Sequence, residues 1–184
     1  NHSTGKMGYA LAEAAMLRGA EVTLISGPTA IEPPMFVNVI PIISAQEMFE
    51  KVATNATEND IIIKAAAVAD YRPKEVCDEK IKKSDHDTEI ELERTTDILA
   101  YLGKNKGKTF LCGFSMETEN MLENSRRKLD KKNLDMIVAN NLKDKGAGFG
   151  VDTNLITIIT RDRELQLELM SKQDAANCIL DEII

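Results

Sequence analysis

Six short apolar runs, set among segments of helical period and Pro- or Gly-rich loops, constrain this chain more than any single motif. They are EVTLISG (21–27), VNVIPII (37–43), DIIIKAAAVAD (60–70), KTFLCGF (108–114), LDMIVAN (134–140) and LITIIT (155–160). Ile61, Ile62 and Ile63 follow one another with no polar residue between them, so this run reads as a strand covered on both faces, as does KTFLCGF. Residues 5–19 place Met7, Ala10, Leu11, Ala14 and Leu17 on one helical face, with Ser3 or Thr4 as N-cap and Gly19 as the stop. Further helices are expected at 45–57, near 96–104, at 118–132 with a buried stripe of Met121, Leu122, Ser125 and Leu129, and at 173–183. Buried strands alternating with helices close a core only when helices cover both sheet faces. The fold class expected is therefore α/β: a Rossmann-like, three-layer, mainly parallel doubly wound sheet. LITIIT and ELQLELM add a C-terminal β-hairpin across Arg161-Asp162-Arg163. A polar loop from Tyr71 to Asp87 leads into the alternating strand TEIELER (88–94), and the charge-rich stretch 74–94 is the best candidate for a mobile element. The first helix has no strand before it, so one domain is expected over 1–184, lacking its first strand and glycine-rich turn.

Composition narrows the function classes. The 184 residues carry 23 Lys plus Arg against 30 Asp plus Glu, a net charge of −7. That balance argues against general affinity for nucleic acid or an anionic membrane, so any phosphate site must be local. No apolar run reaches the ~18 residues of a membrane span, and residues 1–20 lack signal-peptide architecture, so a cytoplasmic protein is the expectation. Cys77, Cys112 and Cys178 form no C-x-x-C pair, and His2 and His86 cannot build a metal site alone; no metal-ligating set is assigned.

Several motifs carry chemistry, each beside an ordinary structural reading. Asn1 to Gly8 (NHSTGKMG) resembles part of a P-loop, but Met7 stands where the Mg²⁺-binding hydroxyl would follow Lys6, leaving a glycine-rich helix start suited to an anion or to plain capping. Gly146, Gly148 and Gly150 have the wrong spacing for dinucleotide binding and read as a loop. Short-chain dehydrogenases need Tyr and Lys four positions apart, but Glu75 stands four after Tyr71 and Asn105 four after Tyr101, so that pair is missing; there is also no G-x-S-x-G elbow. The segment AAAVADYRP (65–73) puts small residues at a strand's C-terminal end, where a flat ring can approach the backbone and Asp70 can accept from a ribose or a base amine; the plain alternative is a turn cap. Lys80-Ile81-Lys82-Lys83 is either a solvated loop or a phosphate clamp. Lys128 and Lys132 lie one helical turn apart and can point at one spot, or simply face water, while Phe114 can stack on a base or pack in the core.

Taken in order and spacing, NHSTGKMG, AAAVADYRP, EKIKK, TTDIL, GFSMET, RRKLDKKNLDMIVAN and GFGVDTN resemble phosphopantothenoylcysteine synthetase, the CoaB-type half of a bifunctional coenzyme A biosynthesis protein. The resemblance covers nearly the whole chain. It implies a dimeric Rossmann-like ligase that uses CTP and Mg²⁺ to join 4′-phosphopantothenate to L-cysteine, often fused to a flavin-dependent phosphopantothenoylcysteine decarboxylase. Carried over by motif position, it implies nucleotide contacts at Lys64, Ala65, Ala66, Asp70, Lys80, Thr96, Asp97, Ile98, Leu99, Phe114, Lys128 and Lys132. It gives catalytic roles to Lys80, in forming an acyl intermediate, and to Asn1, in handling it. Thr95-Thr96 stands where many relatives have Asn-Pro, and a threonine is expected to cap the following helix.

The implied chemistry suits these residue types. A carboxylate acylates poorly until activated as an acyl cytidylate with loss of pyrophosphate, and lysines with Mg²⁺ neutralise the charge that gathers on phosphate. Cysteine's amine then attacks the acyl carbon, and no protein nucleophile is required. Two other classes stay open from the residues themselves: a Rossmann-like nucleotide-binding regulatory module without catalysis, and an NAD(P)-dependent oxidoreductase.

Overall fold

The structure, a computed structural model, describes residues 4–77, 79, 89–117, 119–141 and 152–184. In chain order these form α1 (Lys6–Leu17), β1 (Thr23–Ser26), β2 (Asn38–Pro41), α2 (Ala45–Asn55) with a 3₁₀ turn (Ala56–Glu58), β3 (Ile61–Lys64), β4 (Tyr71–Pro73), β5 (Leu92–Arg94), α3 (Ile98–Asn105) and β6 (Phe110–Glu117). There follow α4 (Met121–Lys131), β7 (Met136–Asn141), β8 (Thr153–Asn154), β9 (Ile156–Thr160), β10 (Glu164–Gln166), β11 (Met170–Ser171) and α5 (Lys172–Asp181). The main sheet runs β10-β9-β7-β6-β3, with β3, β6 and β7 parallel and the β9–β10 hairpin antiparallel. β1 and β2 form a parallel pair of their own, and β4 pairs antiparallel with β5.

Period-2 alternation sorts the central strands onto two cores. Cys112, Met136, Val138, Ile156 and Ile158 face α1 and α5, meeting Ala10, Leu11, Ala14, Ala176 and Ile179. Leu111, Ile137, Ala139 and Ile159 face the other way, against Met48 of α2, Ile98, Leu99 and Leu102 of α3, and Leu129 of α4. Each fully buried Ile or Leu removes enough apolar surface to stabilise the fold by roughly 1.5–3 kcal/mol, so three central strands covered on both sides account for most of the cohesion. Between the layers, the Asp135 carboxylate accepts from the Leu111 amide at 2.8 Å and from Lys106 Nζ at 2.5 Å, pinning the start of β6 to the loop before β7.

The parallel sheet with helices on both faces is the architecture expected, and the C-terminal hairpin turns where expected. Details differ for physical reasons. Ile61 is exposed although its run looks doubly buried, because β3 is the edge of the main sheet. Leu17 and Leu122 also reach solvent, since they lie at the last turn of α1 and the first of α4, beyond the neighbouring layer. The N-cap of α1 is Gly5 at φ 77, with no side-chain cap, and not Thr4; Ser3 lies outside the described residues. Gly19, at φ 87, does end α1, donating to Met16 O at 2.9 Å. Of the described part of TEIELER, only Leu92–Arg94 joins a ladder. ELQLELM divides into β10 and a separate β11 that pairs with β8, and the last helix is α5. The glycines at 146, 148 and 150 lie outside the described residues.

Candidate functional site

At the C-terminal end of β3 the chain leaves the sheet as a run of small residues, and this bend sets one wall of a groove. The groove, of ≈ 140 Å³, is lined by Lys64, residues 66–70, residues 95–99, Phe114, Lys128 and Lys132. Three separate stretches meet there: the end of β3, the start of α3, and the C-terminal half of α4, with Phe114 rising from β6 between them. Among the residues expected at a nucleotide, the structure brings Lys64, Ala66, Asp70, Thr96, Asp97, Ile98, Leu99, Phe114, Lys128 and Lys132 around one opening. Ala65 is the exception: it alternates to the opposite face and packs on the core beneath α1 and α5. Asn1 and Lys80 lie outside the described residues.

Each cation in the groove is held by a named acceptor. Lys64 Nζ donates to the Ala66 carbonyl at 2.8 Å. Lys132 Nζ lies 2.9 Å from Asp97 Oδ2, and Lys128 Nζ lies 2.5 Å from Glu117 Oε1. Burial, reinforced by the nearby Lys132 ammonium, brings Lys64 down to about 8, against the opposing pull of Asp97 and Asp70. Burial also works against the Asp97 carboxylate, but the Ala100 amide, Lys132 and Lys64 outweigh it and hold Asp97 below its ordinary value. Asp97 is the N-cap of α3, accepting from Ala100 N at 3.0 Å. The cap is therefore the aspartate and not a threonine: Thr95 Oγ1 instead donates to the Ala69 carbonyl, and Thr95 N donates to Asp70 O at 3.0 Å, so this loop clamps the small-residue run.

Two features were not legible beforehand. Glu117, Ser115 and Asn124 form a hydrogen-bonded group behind Lys128, outside the groove's lining. Gly103 of α3 touches the Lys132 carbonyl so closely that a Cβ there would lie 1.8 Å from it, which sets how near α3 approaches the end of α4. A larger cleft, ≈ 370 Å³, is lined by residues 57–60 and 105–109 at the opposite edge of the sheet. We place the site in the smaller groove, because ligands of open α/β sheets sit at the carboxyl ends of parallel strands and the larger cleft borders their amino ends. The Cys112 thiol is buried and pushed well up from its ordinary value by that burial, which leaves it inert. Among the described residues no helix is long and apolar enough to cross a membrane.

Comparison with known proteins agrees with this architecture. The profile of the DNA/pantothenate metabolism flavoprotein C-terminal domain matches residues 1–184. The coenzyme A biosynthesis bifunctional protein CoaBC of Bacillus subtilis is 51% identical over 185 residues, covering 100% of this chain and 46% of that protein. Its counterpart in Vibrio vulnificus is 44% identical, again over 100% of this chain and 46% of the relative. The chain thus spans about half the length of these curated relatives. A crystal structure of the C-terminal domain of a CoaBC protein superposes with a TM-score of 0.84 at 44% identity, covering 100% of this chain and 83% of that one. With the family profile matched over residues 1–184 and a relative 51% identical over the whole of this chain, the chain belongs to the DNA/pantothenate metabolism flavoprotein C-terminal domain family and is similar throughout to the C-terminal, CoaB-type domain of CoaBC proteins.

Proposed function

We propose that this domain is a phosphopantothenate–cysteine ligase of coenzyme A biosynthesis, and that the groove at the end of β3 is its nucleotide site. The observation that carries the reading is convergence: Lys64, Asp70, Asp97, Phe114, Lys128 and Lys132, scattered over 69 positions, line one opening at the carboxyl edge of the sheet. At ≈ 140 Å³ the groove is smaller than the ~300–1,000 Å³ that encloses a drug-sized ligand. It suits a base or sugar seated against the small residues, with the phosphates lying out along the lysines.

In the proposed reaction a carboxylate oxygen of 4′-phosphopantothenate attacks the α-phosphorus of CTP, the bond to the β-phosphate oxygen breaks, and pyrophosphate leaves. The amine of L-cysteine then attacks the acyl carbon of the cytidylate, CMP departs, and the amine proton passes to solvent. Lys128 and Lys132 meet the phosphate oxygens, and Asp70 accepts from the nucleoside. Among the described residues no three acidic, Cys or His side chains converge on a metal position. Mg²⁺ is therefore proposed to arrive on the nucleotide phosphates, where it neutralises charge. Lys80 is assigned to formation of the acyl cytidylate and Asn1 to its consumption, on the strength of the motif match. Exposed Tyr71 and Leu92 on the β4–β5 ladder, with Val76 and Ile90 nearby, supply apolar surface for a homodimer. The bifunctional relatives, about twice this length, support a decarboxylase on the same polypeptide.

The test is pyrophosphate release. With CTP, 4′-phosphopantothenate and L-cysteine the protein is expected to release pyrophosphate and form the amide; CTP should bind more tightly than UTP or ATP by calorimetry, and Asp70→Ala should weaken it. Nucleotide binding without pyrophosphate release would instead identify a regulatory module, and a preference for NADPH would identify an oxidoreductase.

A further inference from the structure

Lys128 is the most exposed of the groove's ammonium groups that sit in an ion pair, and also the most elaborately held. Its Nζ donates to Glu117 Oε1 at 2.5 Å and to Ser115 Oγ at 3.1 Å. Ser115 Oγ in turn donates to Glu117 Oε1 at 2.8 Å, and Asn124 Nδ2 donates to Glu117 Oε2 at 3.3 Å. Ser115 is buried, and the Glu117 side chain is only 16% exposed against 43% for Lys128. The carboxylate is thus fixed from β6 on one side and from α4 on the other, and it reaches the groove only through the lysine. An ammonium has three N–H bonds. Two are taken here, and no other described residue accepts the third.

Two roles for Glu117 predict opposite signs. As a neutraliser, its negative charge beside Lys128 weakens attraction for an anion, so removing the charge tightens binding. As a positioner, it holds a side chain of four rotatable bonds at the groove wall before the ligand arrives, so removing it leaves that ordering to be done on binding. The geometry favours the second. A carboxylate that served only to cancel charge would need no bonds of its own. This one has both oxygens occupied by neutral donors as well as by the lysine, and those donors help to hold it ionised below its ordinary value against the effect of burial.

We propose that Glu117, with Ser115, is a positioning residue: it sets the Lys128 ammonium in the orientation that meets the phosphates of a bound nucleoside triphosphate, and it acts only through Lys128. This rests on the reading of the groove as a nucleotide site. The experiment is a double-mutant cycle with Mg·CTP, measured by titration calorimetry on wild type, Glu117→Gln, Lys128→Met and the double variant, with thermal melting to check the fold. Glu117→Gln is expected to weaken CTP about tenfold, and the double variant to bind no more weakly than Lys128→Met alone. The proposal is overturned if Glu117→Gln binds CTP as tightly as wild type or more tightly, or if its loss adds in full to that of Lys128→Met. Should Glu117→Gln fail to fold, Ser115→Ala takes its place. That variant keeps the carboxylate and should cost about threefold in CTP affinity, again only when Lys128 is present; an unchanged affinity overturns the proposal. Wild type that binds no nucleoside triphosphate overturns the nucleotide reading itself, and is told apart because the failure precedes any substitution.

Discussion

Lys64 ends β3 with its ammonium on the Ala66 carbonyl, in a partly closed place between Asp97, Asp70 and Lys132, where burial brings it from 10.5 to about 8. With the folded value below the unfolded one, the unfolded chain holds more protons between these limits. Stability from this group therefore rises as pH climbs from about 8 to 10.5, and below about 8 the charged lysine opposes folding. Lys64→Met is accordingly expected to stabilise the protein at pH 7 by on the order of 1–3 kcal/mol, with a gain that shrinks above pH 9, as read from urea unfolding at the two pH values. A polyanion in the groove reverses the effect of burial and draws a proton onto Lys64. Calorimetry of CTP binding at pH 8 in buffers of different ionisation enthalpy should show net proton uptake, and an uptake of zero would place the phosphates away from Lys64.

At the level of elements, the groove depends on how α3 meets the end of α4. Asp97 serves both: it caps α3 through Ala100 N and receives Lys132 from α4. The two duties separate by substitution. Asp97→Ala should lower stability by about 1 kcal/mol, whereas Asp97→Ser should keep most of the cap yet release Lys132 and weaken CTP; loss of stability without loss of binding in both variants would show that the pairing is incidental. The approach itself is set by Gly103, where backbone and not side chain blocks a Cβ, and where Asn133 Nδ2 donates to the Gly103 carbonyl at 2.9 Å. Gly103→Ala is therefore expected to destabilise by about 2–3 kcal/mol in thermal or urea unfolding, and to disturb Lys132 with it. A near-neutral Gly103→Ala would mean that the two helices slide past each other freely.

For the whole molecule, the groove is built mainly on one covered face of the sheet, and Phe114 alone ties it to the core on the other. α3 and α4 build the groove and share a core with Leu111, Ile137 and Ile159, while α1 and α5 pack on the opposite core. Ligand at a hundredfold excess over Kd adds about 2.7 kcal/mol to folding, which for a chain of this size raises Tm by roughly 5–10 °C. CTP should give that rise, and hydrogen exchange should slow in β3, α3 and the C-terminal half of α4 more than in α1 and α5. Protection centred on α1 and α5 would move the site to the other face. The net charge of −7 with a lysine-lined groove also predicts that added salt weakens CTP binding by screening the local field.

Much of this molecule was legible in the chain itself, and for a local reason. Hydrophobic period and turn residues report on neighbours within a few positions, which is enough to mark the helices, the buried strands, the stop at Gly19 and the β9–β10 hairpin, and to carry the motif resemblance to a family. Strand order and register are another matter, because contacts between distant elements leave no periodic trace. Ile61 has the pattern of a central strand and lies at an edge; Ala65 adjoins Ala66 in sequence and faces the other core. The residues converging on the groove were individually as consistent with surface or core as with a site. Only packing makes Asp97 the shared partner of α3 and Lys132, and only packing seats Lys128 on a carboxylate 11 positions away on another element. Local forces chose the elements of this protein, and the burial of both sheet faces chose which of their ends would meet.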